Sequence, residues 1–183
     1  PPRSTLFPYT TLFRSFVFNL DYLKYTSKIV FLNESIYIYV MHSSHISASM
    51  AIVNSDSLIH DMGIFRIKAS EFLQKKNTGK GKKLSKTDIK QEVGHTLIHY
   101  VIIFLIRSCR LLNKNNRNII YREIEKLINA DILKDSLQYY SPSKGNSKIL
   151  PLLMKHKLID LLMDYCQYRA YKRYGKPEED IKK

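Results

Sequence analysis

The sequence predicts a mainly α fold with one small two-strand element near its start, on three observations. From residue 55 onward, apolar residues recur at three- and four-residue steps in several blocks. Short runs rich in Asn, Gly, Ser and Pro separate these blocks, as at Asn113–Asn118 and Ser141–Ser147. Two β-branched and aromatic runs, Lys28–Leu32 and Ile36–Val40, have strand character and are joined by Asn33-Glu34-Ser35.

Residues 1–15 read PPRSTLFPYTTLFRS. Secretory leaders carry a basic start, an apolar centre and small residues at the cleavage site, and this stretch has none of that order. It is identical to the one-frame translation of a widely used short-read sequencing adapter, so it is set apart as a non-native segment. From there, Phe16, Leu20 and Leu23 mark a short helix, followed by the strand pair. Both faces of those strands are apolar, so they call for more covering structure than this chain supplies.

Ser55 or Asp56 can cap the next helix, whose stripe is Leu58, Met62, Phe65, Ala69 and Phe72. Gly63 weakens it by about 1 kcal/mol without ending it. Residues 75–90 hold seven lysines against the single acid Asp88, and lack the spacing of a phosphate-cradling loop. They read as a solvated loop, or as a contact for an anionic partner through Lys82 and Lys83.

A central helix is predicted from about Lys90 to Leu112, with Val93, Leu97, Val101, Phe104, Leu105, Ser108 and Leu112 inside. Another carries Ile120, Ile124, Leu127 and Ile128. Pro151 opens a final helix whose template positions are Leu158, Leu161, Leu162, Tyr165 and Cys166. Pro177 and the charged tail with Glu178, Glu179 and Asp180 end it.

Composition narrows the class. The 183 residues carry 30 basic against 16 acidic side chains, a net charge of +14, and include 13 Tyr and 8 Phe. So many aromatics exclude a disordered chain. Two cysteines, Cys109 and Cys166, are too few for a disulfide scaffold and fit free thiols in a reducing cytoplasm. The longest apolar run, Leu97–Ile106, covers about 15 Å as a helix, so no transmembrane span is expected.

Catalytic signals are sparse. His95 and His99 have the spacing of two metal ligands, but Thr96 stands where a zincin helix needs Glu, and no third ligand is apparent. They read as one hydrogen-bonded core histidine and one nearer the surface, and no metal site is expected in this chain. The cysteines lack CxxC spacing, and no Gly-x-Ser-x-Gly elbow occurs. Arg169, Lys172 and Arg173 alternate with Tyr171 and Tyr174. That mixture suits nucleic acid, anionic lipid headgroups or plain solubility alike.

Residues 16–49 resemble the end of the catalytic domain of family 2 glycosyltransferases, the bacterial polysaccharide-building enzymes of GT-A fold. The family pattern is Glu-Asp, two residues, Phe-Asn-Leu, a short helix, Lys-x-x-Phe-x-Asn-Glu-Pro, then Leu-Tyr-x-Tyr-Arg-x-His-x-x-Ser-Ile-Ser. This chain has Phe18-Asn19-Leu20, then Lys28, Phe31, Asn33 and Glu34, then Tyr37, Tyr39, His42, Ile46 and Ser47. It departs at Ser35 for Pro, Val40 for Arg and His45 for Ser. The later helices look like the C-terminal appendage of such enzymes.

The resemblance implies three segments: 1–15 non-native, 16–50 the remnant of a truncated GT-A α/β domain, and 51–183 a helical C-terminal region. It implies transfer of a sugar from a nucleotide-sugar donor to a glycan or lipid-linked acceptor, with Mg or Mn as metal in the full-length enzyme. His42 matches a position near the donor diphosphate or metal. The family's acidic pair, one member of which resembles the general base, falls where Arg14 and Ser15 stand. The base is therefore expected immediately upstream of Phe16, and the chain alone is expected to be inactive.

The expected location is cytoplasmic and peripheral at the inner face of the membrane. Lys82, Lys83, Arg169, Lys172 and Arg173 are the candidate contacts to anionic lipid or another anionic partner. A small basic module for nucleic acid and a purely structural helical bundle are the other readings. No recognition-helix pattern or RNA-binding signature supports the former, so no nucleic acid is expected.

Overall fold

The computed structural model describes residues 17, 19–23, 25, 26, 54–76, 83–142 and 147–176. Of these, 82% are helical and none forms a strand, which makes the fold mainly α. The segment 1–15, the strand pair expected at 28–32 and 36–40, His42 and Lys82 lie outside the described residues.

From residue 54 the described chain forms α1 (Ser55–Lys76), α2 (Lys86–Ser108), α3 (Arg117–Asn129), α4 (Asp131–Tyr139), α5 (Ile149–Lys155) and α6 (Ile159–Tyr174). A single 3-10 turn, Cys109–Leu111, continues α2. α2 is the axis, packing against α1, α4 and α6. Its buried residues come in adjacent pairs, Leu97 with Ile98, Val101 with Ile102, and Leu105 with Ile106. Two neighbouring rows a turn apart give a helix that is covered on several sides. By length and composition Lys86–Leu111 could cross a bilayer, a possibility that the shorter run 97–106 does not suggest. The other helices cover it instead, and 56% of its apolar window is buried. Phe104, expected inside, is half-buried.

α2 starts four residues earlier than the periodicity predicts. Ser85 Oγ accepts from the Asp88 N–H at 3.1 Å, and Asp88 Oδ2 accepts from the Ser85 N–H at 2.7 Å. Such a capping box satisfies two donors that a helix start leaves open, and so draws Lys86 and Lys90 out of the loop. At α1 the cap is neither Ser55 nor Asp56. Asn54 Oδ1 accepts from the Ser57 N–H at 3.0 Å, while Ser55 turns inward. The α1 stripe is otherwise as expected: Leu58, Met62, Phe65 and Ala69 are buried and Phe72 is half-buried. Leu20, in the helical stretch 19–23, joins the same core, and Asp21 pairs with Lys68 of α1 at 3.5 Å.

Two breaks escape the sequence reading. α3 and α4 are separate because Ala130 is extended, with ψ 132°, after which Asp131 opens α4. The final helix is also two. The Leu158 N–H bonds the Leu153 carbonyl at 3.1 Å and the Lys157 N–H bonds the Met154 carbonyl at 3.1 Å. This is a Schellman ending, with Lys157 at φ 54° in the position that usually takes Gly. Pro151 therefore lies inside α5 rather than opening α6. The break also re-aims the helix that follows: Leu158 and Leu161, expected inside, are 49% and 56% exposed.

The glycines give a paired test. A Cβ at Gly63 meets nothing within 4 Å, so Gly63→Ala is expected to stabilise the chain by about 1 kcal/mol through helix propensity. A Cβ at Gly94 meets the Ser136 carbonyl at 3.1 Å, where α2 and α4 approach closely. Gly94→Val is expected to cost about 1–3 kcal/mol by wedging the pair apart. Thermal melts of the two variants should shift in opposite directions. Equal shifts would count against the close α2–α4 contact.

Candidate functional site

Basic and aromatic side chains meet where the end of α2 lies beside the end of α6. Arg110 Nη2 donates to the Tyr174 carbonyl at 3.2 Å, and its guanidinium carbon is 5.7 Å from the Tyr174 ring centroid. Arg173 approaches the same ring at 5.5 Å. Two cations thus flank one aromatic ring at a helix C-terminus, where the backbone dipole favours positive charge. Arg110 Nε is buried and has no hydrogen-bond partner among the described residues.

The junction is held by α6 running antiparallel to the segment after α2. Gln167 Nε2 donates to the Leu112 carbonyl at 2.8 Å and to Tyr171 Oη at 2.9 Å. Arg117 Nη1 and Nη2 donate to Asp164 at 2.8 Å and Asp160 at 2.9 Å. Those carboxylates stand one turn apart on α6, so a single guanidinium spans both. The hydrogen bonds to Asp164 and Asp160 hold the Arg117 guanidinium above its usual range. One arginine of α3 thereby offsets half of the negative charge of these two α6 acids.

Behind this surface both cysteines are free and buried, as the composition suggests. The Cys166 thiol is pushed up by its hydrogen bond with Cys109 and by desolvation. A raised folded-state pKa favours the neutral thiol, whereas an unfolded thiol ionises near its ordinary value of about 8.5. The stability from this site is therefore complete below about pH 8.5 and falls as pH rises beyond it. A thiol reagent such as Ellman's is expected to react with neither cysteine of the native chain at pH 8, and with both in denaturant. Rapid reaction of the native chain would contradict the buried pair.

A second concavity, about 430 Å³, lies between α1, α2 and α4 over Val93 and Leu97. Its rim pairs with itself. Arg66 Nη1 meets Asp135 Oδ2 at 3.2 Å, and Lys90 donates to Tyr139 Oη at 3.3 Å while lying 5.1 Å from that ring.

The sequence candidates are not gathered into one place. Arg169, Lys172 and Arg173 are exposed on the last turns of α6, and Lys83 is exposed before α2. α2 rises about 33 Å from Lys86 to Ser108, so Lys83 and the α6 cluster sit at opposite ends of it. His95 is half-buried and stacked on Tyr140 at 5.3 Å, while the exposed His99 sits edge-on to Tyr100 at 6.5 Å. Among the described residues, no group of three His, Cys, Asp or Glu side chains converges to hold a metal.

Sequence reasoning missed Arg110 and Arg117. Both lie in or beside the break after α2, which shows no periodicity to place them. No family model, curated protein or solved structure matches the chain.

Proposed function

We propose that this chain is the C-terminal part of a family 2 glycosyltransferase, with the GT-A remnant at residues 16–50 and a helical region at 51–183. One observation carries the reading: the ordered motif Phe18-Asn19-Leu20, Lys28, Phe31, Asn33, Glu34, Tyr37, Tyr39 and His42, in family order and spacing. Leu20 of this motif is buried in the helical core.

In the full-length enzyme a carboxylate just upstream of Phe16 would take the proton of the acceptor hydroxyl. The sugar would pass to that oxygen and a nucleoside diphosphate would leave, with Mg or Mn held upstream offsetting its charge. His42 would stand near the diphosphate. The enzyme would work in the cytoplasm, peripheral at the inner face of the membrane, on a glycan or lipid-linked acceptor.

The test is release of nucleoside diphosphate from a panel of nucleotide sugars. The protein read from the full genomic frame should release it, and changing the upstream base to its amide should cost about 10²–10⁴-fold. The 183-residue chain alone should show nothing above buffer. Turnover by the short chain, or none by the full-length protein, would overturn the proposal.

A further inference from the structure

We infer that one face of α6 is an interfacial anchor that lies on an anionic lipid bilayer. At 100° per residue, Leu161, Tyr165, Tyr168, Arg169 and Lys172 fall within a sector of about 100°. Leu158, at the N-cap, continues that sector backward. Leu158, Leu161 and Tyr168 are 49%, 56% and 59% exposed, and Tyr165 and Tyr168 face each other at 6.3 Å. The buried row of the same helix, Ile159, Leu162, Met163, Cys166 and Ala170, is turned about 120° away. α6 therefore has two apolar faces, and the described residues cover one of them.

Charge selects the occupant. The stretch 165–176 contains Arg169, Lys172, Arg173 and Lys176 and no acidic residue. The two acids that flank the apolar row, Asp160 and Asp164, are both held by Arg117. A second copy of a chain with net charge +14 would meet like charge at this end. A bilayer with anionic headgroups meets both halves: the leucines enter the acyl boundary, tyrosines take the headgroup level, and the bases reach phosphates. The row from Leu161 to Lys172 is about 17 Å long, compatible with a helix lying in the plane of the surface.

The inference deepens the membrane part of the proposed function, resting on that reading and not on the transferase chemistry. It names the face and adds the apolar residues to the bases.

The chain contains no tryptophan, so one introduced indole reports its own surroundings. Leu161→Trp is compared with Glu125→Trp, at an exposed position of α3, in the full 183-residue chain. The probes are vesicles of phosphatidylcholine alone and of phosphatidylcholine with 30% phosphatidylglycerol. The expected result is a blue shift at position 161 with the anionic vesicles only, and none at position 125. Co-sedimentation should fall about tenfold for Lys172→Glu and for Tyr168→Asp, and change less than twofold for Lys83→Glu. Circular dichroism checks that the variants remain helical.

No shift at position 161, an equal shift at both positions, or equal binding to neutral vesicles would overturn the anchor. So would tighter binding to duplex DNA than to the anionic vesicles. Vesicle failure with an acidic pair upstream of Phe16 would sink the anchor alone. Vesicle success without that pair would leave the anchor and remove the transferase.

Discussion

Phe65→Ala is expected to lower the stability of the chain by about 3–5 kcal/mol, the usual cost of deleting a fully buried aromatic ring. Phe65 is 1% exposed and meets Tyr100 edge-to-face at 6.4 Å, tying α1 to α2. The loss is a large share of the roughly 5–15 kcal/mol that holds an ordinary domain. At about 2–4 °C per kcal/mol for a chain of this length, the melting temperature should drop by about 6–20 °C. Phe72→Ala, at a half-buried site seven residues further along the stripe, should cost less than half as much. Equal losses at the two positions would mean that α1 does not pack as described.

Glu123→Ala should have the next largest effect, about 2–4 kcal/mol, although Glu123 is not a core residue. Its Oε2 accepts from both the Ser55 N–H at 2.8 Å and Ser55 Oγ at 2.6 Å. Ser55 is fully buried, so removing the carboxylate strands two donors away from water. The carboxylate also faces the positive end of the α1 dipole. Glu123→Gln keeps an acceptor and should recover most of the loss. Hydrogen exchange should show the first turn of α1 opening in the alanine variant before the rest of the helix. Uniform exchange along α1 would argue for a general effect and against the local lock.

What could be read from the sequence follows from how far each signal reaches. Leu58, Met62, Phe65 and Ala69 form a strict helical stripe, and a long amphipathic helix needs little else to be recognised. The capping box at Ser85 escapes the sequence reading, because Asp88 stands where the usual pattern has Glu and the surrounding lysines resemble a loop. The breaks at Ala130 and Lys157 were not legible, because neither contains the Gly or Pro that marks a chain reversal. Without the second break, Leu158 and Leu161 fit the buried template; with it, their face turns outward.

The basic candidates of α6 are exposed, as contacts to an anionic partner need to be. The contacts that Arg110 and Arg117 make with Tyr174, Asp164 and Asp160 of α6 were hidden, since they span 43 to 64 residues of sequence. Long-range pairing of charges leaves no period to detect. The motif residues of 16–50 are a different case: their meaning comes from order and spacing against a family, which no packing argument supplies.

The central claim is the family assignment, and the codons immediately before Phe16 test it most directly. Phe18-Asn19-Leu20 fixes the register, and Phe16 and Val17 are the two spacer residues. Sequencing the genomic locus with primers outside the adapter should reveal Glu-Asp or Asp-Asp at the two positions before Phe16. About two hundred further residues of open frame should precede them, the size of one α/β nucleotide-binding domain. A non-acidic pair in frame, or a genomic locus that encodes PPRSTLFPYTTLFRS, would contradict the account.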